Sequence, residues 1–258
     1  MTRRNDRRLA LLVGGGLAFL FTIISAVQVA AWSVGETESS TQRVLSGRFE
    51  ELLVESPTGD VTVLRSVDER VRIDARAEGT LHTPAPSIEI DGGRVLVAAN
   101  CPVWGFGECS SDVVVHVPAS TDVRVDSGSG DIVVRDLPGG GDFKTGSGDV
   151  VVDGAAGDIA LESGSGDTIA RGLRSRMAKA ETGSGDVDLR FAVAPQAAEA
   201  LTGSGDVRIL VPPGREGYNV GVESGSGGTD VGVLQDDRST RFLRAETNSG
   251  DAVVDYGG

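Results

Sequence analysis

Residues 127–134 read "SGSGDIVV", and the same phrase returns as "TGSGDVVV" from Thr145, "SGSGDTIA" from Ser163, "TGSGDVDL" from Thr182, "TGSGDVRI" from Thr202, "SGSGGTDV" from Ser224 and "TNSGDAVV" from Thr247. The Asp of the phrase, or Gly228 in its place, falls at 131, 149, 167, 186, 206, 228 and 251, so the period is 18 to 23 residues. Two positions before the Ser or Thr stands an apolar residue (Val125, Phe143, Leu161, Ala180, Ala200, Val222, Ala245). The position between is mostly charged (Asp126, Lys144, Glu162, Glu181, Glu223, Glu246, with Leu201 the exception). Apolar and polar positions keep this alternation in register with the corner through seven copies, which is the period of a strand with one buried side. Weaker breaks at "PGGGD", ending at Asp142, and "GAAGD", ending at Asp158, divide the early units into two strands and two bends.

A unit this short cannot bury its apolar side alone, so successive units are expected to stack, each strand pairing in parallel with its equivalent in the next coil. The expected fold is all-β: a β-solenoid of about 18–23 residues per coil over residues 123–258, preceded by a strand-rich region over 48–122. Six or seven coils stacked in chain order would form a rod of roughly 30 Å at the ordinary strand spacing. A meander of hairpins with SGSG turns is the rival architecture, but it does not require the corner to hold register through every copy.

The repeated corner is first a backbone device. Glycines on both sides of a Ser permit positive φ, and the Asp carboxylate can accept backbone N–H bonds as in an Asx turn. The corner residues so assigned are Gly128, Gly130 and Asp131; Gly146, Gly148 and Asp149; Gly164, Gly166 and Asp167; Gly183, Gly185 and Asp186; and Gly203, Gly205 and Asp206. The preceding hydroxyls are expected to line up as a ladder between coils. Neither G-x-x-x-x-G-K-[ST] nor G-x-G-x-x-G is present, and the corner is not G-x-S-x-G, so no phosphate loop, dinucleotide site or hydrolase elbow is assigned. No cofactor, catalytic or metal-binding residue is assigned. A Ca²⁺-binding β-roll is the alternative reading, because Asp149, Asp158 and Asp167 lie nine residues apart, yet the nine-residue period is not maintained.

The ends of the chain carry different information. Residues 9–35 contain no charged side chain, enough to cross about 30 Å of hydrocarbon as a helix. Arg3, Arg4, Arg7 and Arg8 precede this segment and "GETESS" follows it. The positive-inside rule therefore places residues 1–8 in the cytoplasm and the body outside, tethered by a linker over 36–47. A signal peptide cleaved after Ala31 is the competing reading, against which stand the length of the apolar run and an interfacial Trp32. Cys101 and Cys109 are the two cysteines, and in an oxidising compartment they read as a disulfide closing "CPVWGFGEC", worth roughly 2.5 kcal/mol. Trp104 and Phe106 in that loop serve either as a contact point for a ligand or as a cap on the first coil.

Beyond residue 35 the chain has 20 basic and 37 acidic residues, a formal charge of −17. That surface repels phosphate backbones, which excludes nucleic acid as a partner. Envelope proteins, cell-wall material and cationic peptides are the expected partners, with the membrane engaged through the N-terminal helix. A polysaccharide-acting β-helix enzyme is the remaining alternative; sugar grooves stack aromatic rings, and residues 123–258 hold no Trp and only Tyr218 and Tyr256 as tyrosines.

"VESPTGDVTV" (54–63), "VVVHVPASTDVRVDSGSGDIVV" (113–134) and the serial GSGD coils, behind an N-terminal anchor, resemble the family of bacterial surface proteins known as "putative adhesins". The resemblance covers residues 48–258 and implies a non-enzymatic, adhesin-like module of the Gram-positive cell envelope, in some members associated with envelope stress. It implies no catalytic residue.

Overall fold

The computed structural model describes residues 37–79, 86–99 and 109–257. The expected anchor (9–35), the cytoplasmic tail, Cys101, Trp104 and Phe106 lie outside the described residues. Among the described residues every regular element is a strand, and no helix is long and apolar enough to cross a membrane.

The strands in chain order begin with β1 (Thr37–Leu45), β2 (Glu51–Thr58), β3 (Val61–Arg65), β4 (Val71–Gly79), β5 (Ser87–Asp91), β6 (Arg94–Ala98) and β7 (Cys109–Val117). Eight strands of the GSGD region follow: β8 (Asp122–Ser129), β9 (Ile132–Leu137), β10 (Gly141–Ser147), β11 (Val150–Ala155), β12 (Ile159–Ser163), β13 (Thr168–Leu173), β14 (Met177–Thr182) and β15 (Val187–Phe191). The last six are β16 (Ala197–Thr202), β17 (Val207–Val211), β18 (Asn219–Ser224), β19 (Thr229–Val231), β20 (Phe242–Thr247) and β21 (Ala252–Tyr256).

They form two sheets. The first has 11 strands in the order β1-β4-β7-β3-β9-β11-β13-β15-β17-β21-β19, and the second has 10, in the order β18-β20-β16-β14-β12-β10-β8-β2-β6-β5. From β8 onward the chain alternates between the sheets, and every pairing is parallel, as for β8 with β10 and β9 with β11. Residues one coil apart are therefore direct neighbours, which makes the architecture a β-solenoid.

The alternation decides which side chains are buried. Val125, Phe143, Leu161, Ala180, Ala200 and Ala245 point inward from the 10-stranded sheet and are almost completely buried. Ile132 and Val134, Val150 and Val152, Val187 and Leu189, and Val207 and Ile209 do the same from the other sheet. Asp126, Lys144, Glu162 and Glu181 project to solvent. One continuous core runs between the sheets from Phe49 to Val254, so each coil is stabilised mainly by aliphatic surface removed from water on both neighbouring coils.

Three features differ from the expected stack. The boundary drawn at 122/123 coincides with no sheet edge: β2 pairs with β8 and β3 with β9, both parallel. Ser56-Pro57-Thr58-Gly59-Asp60 thus forms a further corner directly beneath Ser127–Asp131, so the stack is longer than the 123–258 repeats imply. At that end antiparallel strands close the sheets, β1 and β4 in one and β5 in the other.

At the other end the coils do not stack in chain order. β20 and β21 insert between the coil of β16 and β17 and the coil of β18 and β19. The last segment buries Leu243, Ala245, Ala252 and Val254 on both sides, whereas Val220, Val222 and Val231 of the earlier segment are only partly buried. The more apolar segment takes the interior position, and the Gly-rich one becomes the edge. The third difference is at the second bend: Gly141 pairs with Ile159, so Asp158 is level with Gly140, and Asp142 lies two residues further along, as an outward side chain of β10. "PGGGD" and "GAAGD" are not equivalent corners.

Candidate functional site: the corner line and the outer faces

The corner between the sheets is built almost entirely from contacts between coils. In each repeat the carboxylate Oδ1 of the Asp accepts the backbone N–H of the Asp in the adjacent coil. Asp131 receives Asp149, Asp149 receives Asp167, Asp167 receives Asp186 and Asp186 receives Asp206, at 2.8–2.9 Å. The line extends past the repeats: Asp112 accepts from Asp60 at 3.0 Å, and Asp60 from Asp131 at 2.9 Å. At the far end Asp206 accepts from Asp251 at 2.8 Å, and Asp251 from Gly228 at 2.7 Å. Gly228 belongs to the edge coil, where no further N–H waits for a carboxylate. The one repeat without Asp is the one whose Asp would have no partner.

The carboxylates therefore bond across coils and not within their own turn, as the Asx reading expected. The hydroxyls also differ from the expected ladder. Thr145 donates to the carbonyl of Gly130 at 3.0 Å, Ser163 to Gly148, Thr182 to Gly166 and Thr202 to Gly185 at 2.9 Å. Each hydroxyl satisfies a glycine carbonyl one coil away instead of another hydroxyl. Ser127 Oγ is buried without such a partner.

The two glycines of a corner have different reasons to be glycine. The second, as at Gly148, has φ of +145°, and a Cβ there would come within 2.2 Å of the Gly130 carbonyl oxygen. The first, as at Gly146, lacks the positive φ, but its Cβ would lie 2.6 Å from the Gly128 carbonyl oxygen. The corner is closed tightly enough that backbone of one coil fills the space where a side chain would begin.

This geometry separates Asp149 and Asp167 from Asp158. Nine residues are half a coil, so Asp158 sits at the opposite bend, where its Oδ1 accepts the N–H of Met177 at 2.9 Å. No group of three or more His, Cys, Asp or Glu able to hold a metal ion occurs among the described residues. The hydrogen-bond arrangement gives a direct expectation. Asp149→Asn retains an Oδ1 acceptor for Asp167 N–H and should change stability by less than about 0.5 kcal/mol. Asp149→Ala leaves that N–H without its partner and should cost about 1–2 kcal/mol, measured by urea unfolding of both variants.

Cys109 opens β7 and is disulfide-bonded; its expected partner Cys101 lies outside the described residues, as do Trp104 and Phe106. His116 is half-buried on β7, opposite Leu64 and Arg72, and its Nδ1 is buried without a partner.

The two outer faces differ in chemistry. The outer face of the 10-stranded sheet is laced with exposed ion pairs between neighbouring coils, Arg124 with Asp142 and Lys144 with Glu162, each at 2.8 Å. The hydrogen bond and charge of Glu162 raise the Lys144 pKa above its ordinary value. Exposed pairs of this kind contribute little to stability. The outer face of the 11-stranded sheet also carries an ion pair, Arg190 with Asp188 at 2.6 Å, but between Asp74 and Asp188 it has a column of uncharged side chains. Val114, Thr62, Val133, Val151 and Ile169 are direct neighbours across five strands, all half-buried. Sequence reasoning recorded the inward neighbours of these residues and missed the column itself. Its signal is the unbroken aliphatic run after the Asp, in "DIVV" and "DVVV", where strict alternation would put a polar residue in the middle.

The family model Toastrack DUF4097 matches residues 46–256, and the chain belongs to that family. Among solved structures, a "putative adhesin" from Bacteroides fragilis is 12% identical with a TM-score of 0.48, covering 86% of this chain and 98% of its own. A "putative cell adhesion protein" from Clostridium sporogenes is 10% identical with a TM-score of 0.44, covering 86% and 100%. A "putative lipid binding protein" from Parabacteroides distasonis is 11% identical with a TM-score of 0.43, covering 85% and 97%. No curated protein matches the chain.

Proposed function

We propose that this chain is a non-enzymatic, adhesin-like binding module of the bacterial cell envelope, held at the cytoplasmic membrane by residues 9–35 with its solenoid on the outer side. The observation that carries the reading is the use made of the repeated corner. Its carboxylates, through Oδ1, and its hydroxyls and glycine carbonyls are engaged in holding one coil to the next. What remains for a partner is the pair of long outer faces and, along one corner, the second carboxylate oxygens (Oδ2) of the exposed aspartates, whose Oδ1 atoms hold the adjacent coil. With a formal charge of −17 beyond residue 35, that surface favours cationic partners such as basic envelope proteins or peptides. The four arginines before the apolar segment support outward placement of the body.

Protease added to intact protoplasts tests the placement. The body should be digested while a cytosolic marker protein survives, and survival of the body together with the marker would overturn it. Incubation of the purified chain with cell wall, followed by assay of reducing ends, tests the non-enzymatic part. No release above the buffer control is expected, and steady release would restore the glycosidase alternative.

A further inference from the structure

The column of Val114, Thr62, Val133, Val151 and Ile169 is a surface that the solenoid itself does not need. These residues point away from the core, and the same row continues with Asp74 beyond Val114 and Asp188 beyond Ile169, so charged side chains are accommodated at such positions. Four strand spacings separate Val114 from Ile169, a length of about 19 Å at the usual 4.8 Å per strand. On one side of the column, about two residues or 6–7 Å along each strand, runs the line of Asp60, Asp131, Asp149 and Asp167. On the other side, at the same interval, lie Arg135, Asp153 and Arg171, adjacent to one another in register and exposed. The result is an apolar strip with an acidic margin and a partly basic margin. Near Val114 and Thr62 the strip leads into a hollow lined by Asp60, Asp74 and Asp112 together with Arg76.

The repeat of the strip matches one common structure. A helix rises about 5.4 Å per turn, close to the ~4.8 Å between coils. A helix lying along the solenoid axis would therefore set one apolar residue over each coil for three to four turns. Its flanking positions would stand over the two charged margins, since a helix with side chains is about 10 Å across. An extended chain in the same direction has no such match, because its side chains on one face repeat at about 6.6–6.8 Å. We propose that the outer face of the 11-stranded sheet docks an amphipathic helix of a partner protein. The helix sets its apolar stripe on Val133, Val151 and Ile169, with basic residues over the aspartate line. This deepens the reading of the chain as a non-enzymatic binding module, and rests on it, by assigning the face and the kind of partner.

The test uses the full chain in zwitterionic nanodiscs, with empty nanodiscs as reference, and a synthetic helical peptide of about five turns as the probe. The peptide carries Leu on one stripe, Lys on one flank and Glu on the other; a second peptide has the same composition scrambled to destroy the stripe. Saturable binding of the first peptide alone is expected. Val151→Asp should weaken it at least about tenfold, Val151→Thr by less. Joint replacement of Asp131, Asp149 and Asp167 by Asn should weaken it about fivefold and reduce its salt dependence, while urea unfolding shows the coils intact. Ala160→Asp, on the opposite outer face, should leave binding unchanged. If both peptides bind equally and Val151→Asp has no effect, attraction is by charge alone: the helix site is overturned and the binding-module reading stands. Equal binding to empty nanodiscs, or none to the full chain, also overturns the site. Release of reducing ends from cell wall would be the separate result that removes the reading beneath it.

Discussion

Gly148→Ala is expected to destabilise the protein by about 3–5 kcal/mol, enough to unfold many domains. Two costs act together. Gly148 holds φ of +145°, where a residue with a side chain is strained, and the added Cβ would lie 2.2 Å from the carbonyl oxygen of Gly130. That oxygen is backbone, so no side-chain rotation relieves the contact; the coils must separate. Separation would stretch the parallel pairings of β10 with β8 and β11 with β9, together with the Asp149 to Asp131 bond. Ser147→Ala, at the exposed neighbouring position, should stay within about 0.5 kcal/mol of the parent. Gly146→Ala should fall between them, because φ there is not positive and Asn248 and Pro57 occupy the equivalent slot in other coils. Urea unfolding followed by circular dichroism measures all three. A cost under about 1 kcal/mol for Gly148→Ala would mean that the coils are not packed backbone to backbone at the corner.

Phe143→Ala should cost about 3–5 kcal/mol, at the upper end for a core truncation. Phe143 is only 1% exposed, and with Tyr218 it heads the fully buried side chains by volume among the described residues. Its ring extends over Gly141, whose Cβ, if present, would lie 2.8 Å from the ring. Two residues before Val125 and Leu161 the inward position holds Val123 and Ile159; in the coil of Phe143 it holds Gly141. One large and one absent side chain thus share the volume of two medium ones. When the ring is removed, Gly141 has nothing with which to fill the void, and the rigid coils above and below cannot collapse into it. Leu161→Ala has Ile159 on the same strand to lean on and should cost less. Equal losses at the two positions would show that the layers repack freely.

These effects explain what could be read from the sequence and what could not. The inward and outward positions were legible because the corner fixes the phase of every strand: once Asp131 and Asp149 are aligned, Val125 and Phe143 must share a face. Parallel stacking followed from the same register. The additional coil at Ser56–Asp60 was less legible because Pro57 replaces the first glycine and the chain then leaves for β4 before returning in β7. What survives there is Ser, Gly and Asp at the positions that make contacts between coils. The exchange of order among the last coils depends on long-range competition for the interior position, which local pattern does not record. Its trace was the missing carboxylate at Gly228, intelligible only once the direction of the Asp hydrogen bonds is known. The apolar column on the outer face was hidden for another reason: Val and Ile favour strands on either side of a sheet, so Val133 and Val151 look like ordinary strand residues until their neighbours across the sheet are identified.

As a joint between coils, the repeated Gly-Ser-Gly-Asp corner should hold without a metal ion. Thermal unfolding of the full chain by circular dichroism, in millimolar Ca²⁺ and again in EDTA, measures this. The joint described here predicts a β-type spectrum and midpoints that agree within about 2 °C, since the Oδ1 atoms of the line already hold their backbone partners. A midpoint at least about 10 °C higher in Ca²⁺, with loss of the β spectrum in EDTA, would contradict it and make the aspartate line a metal site.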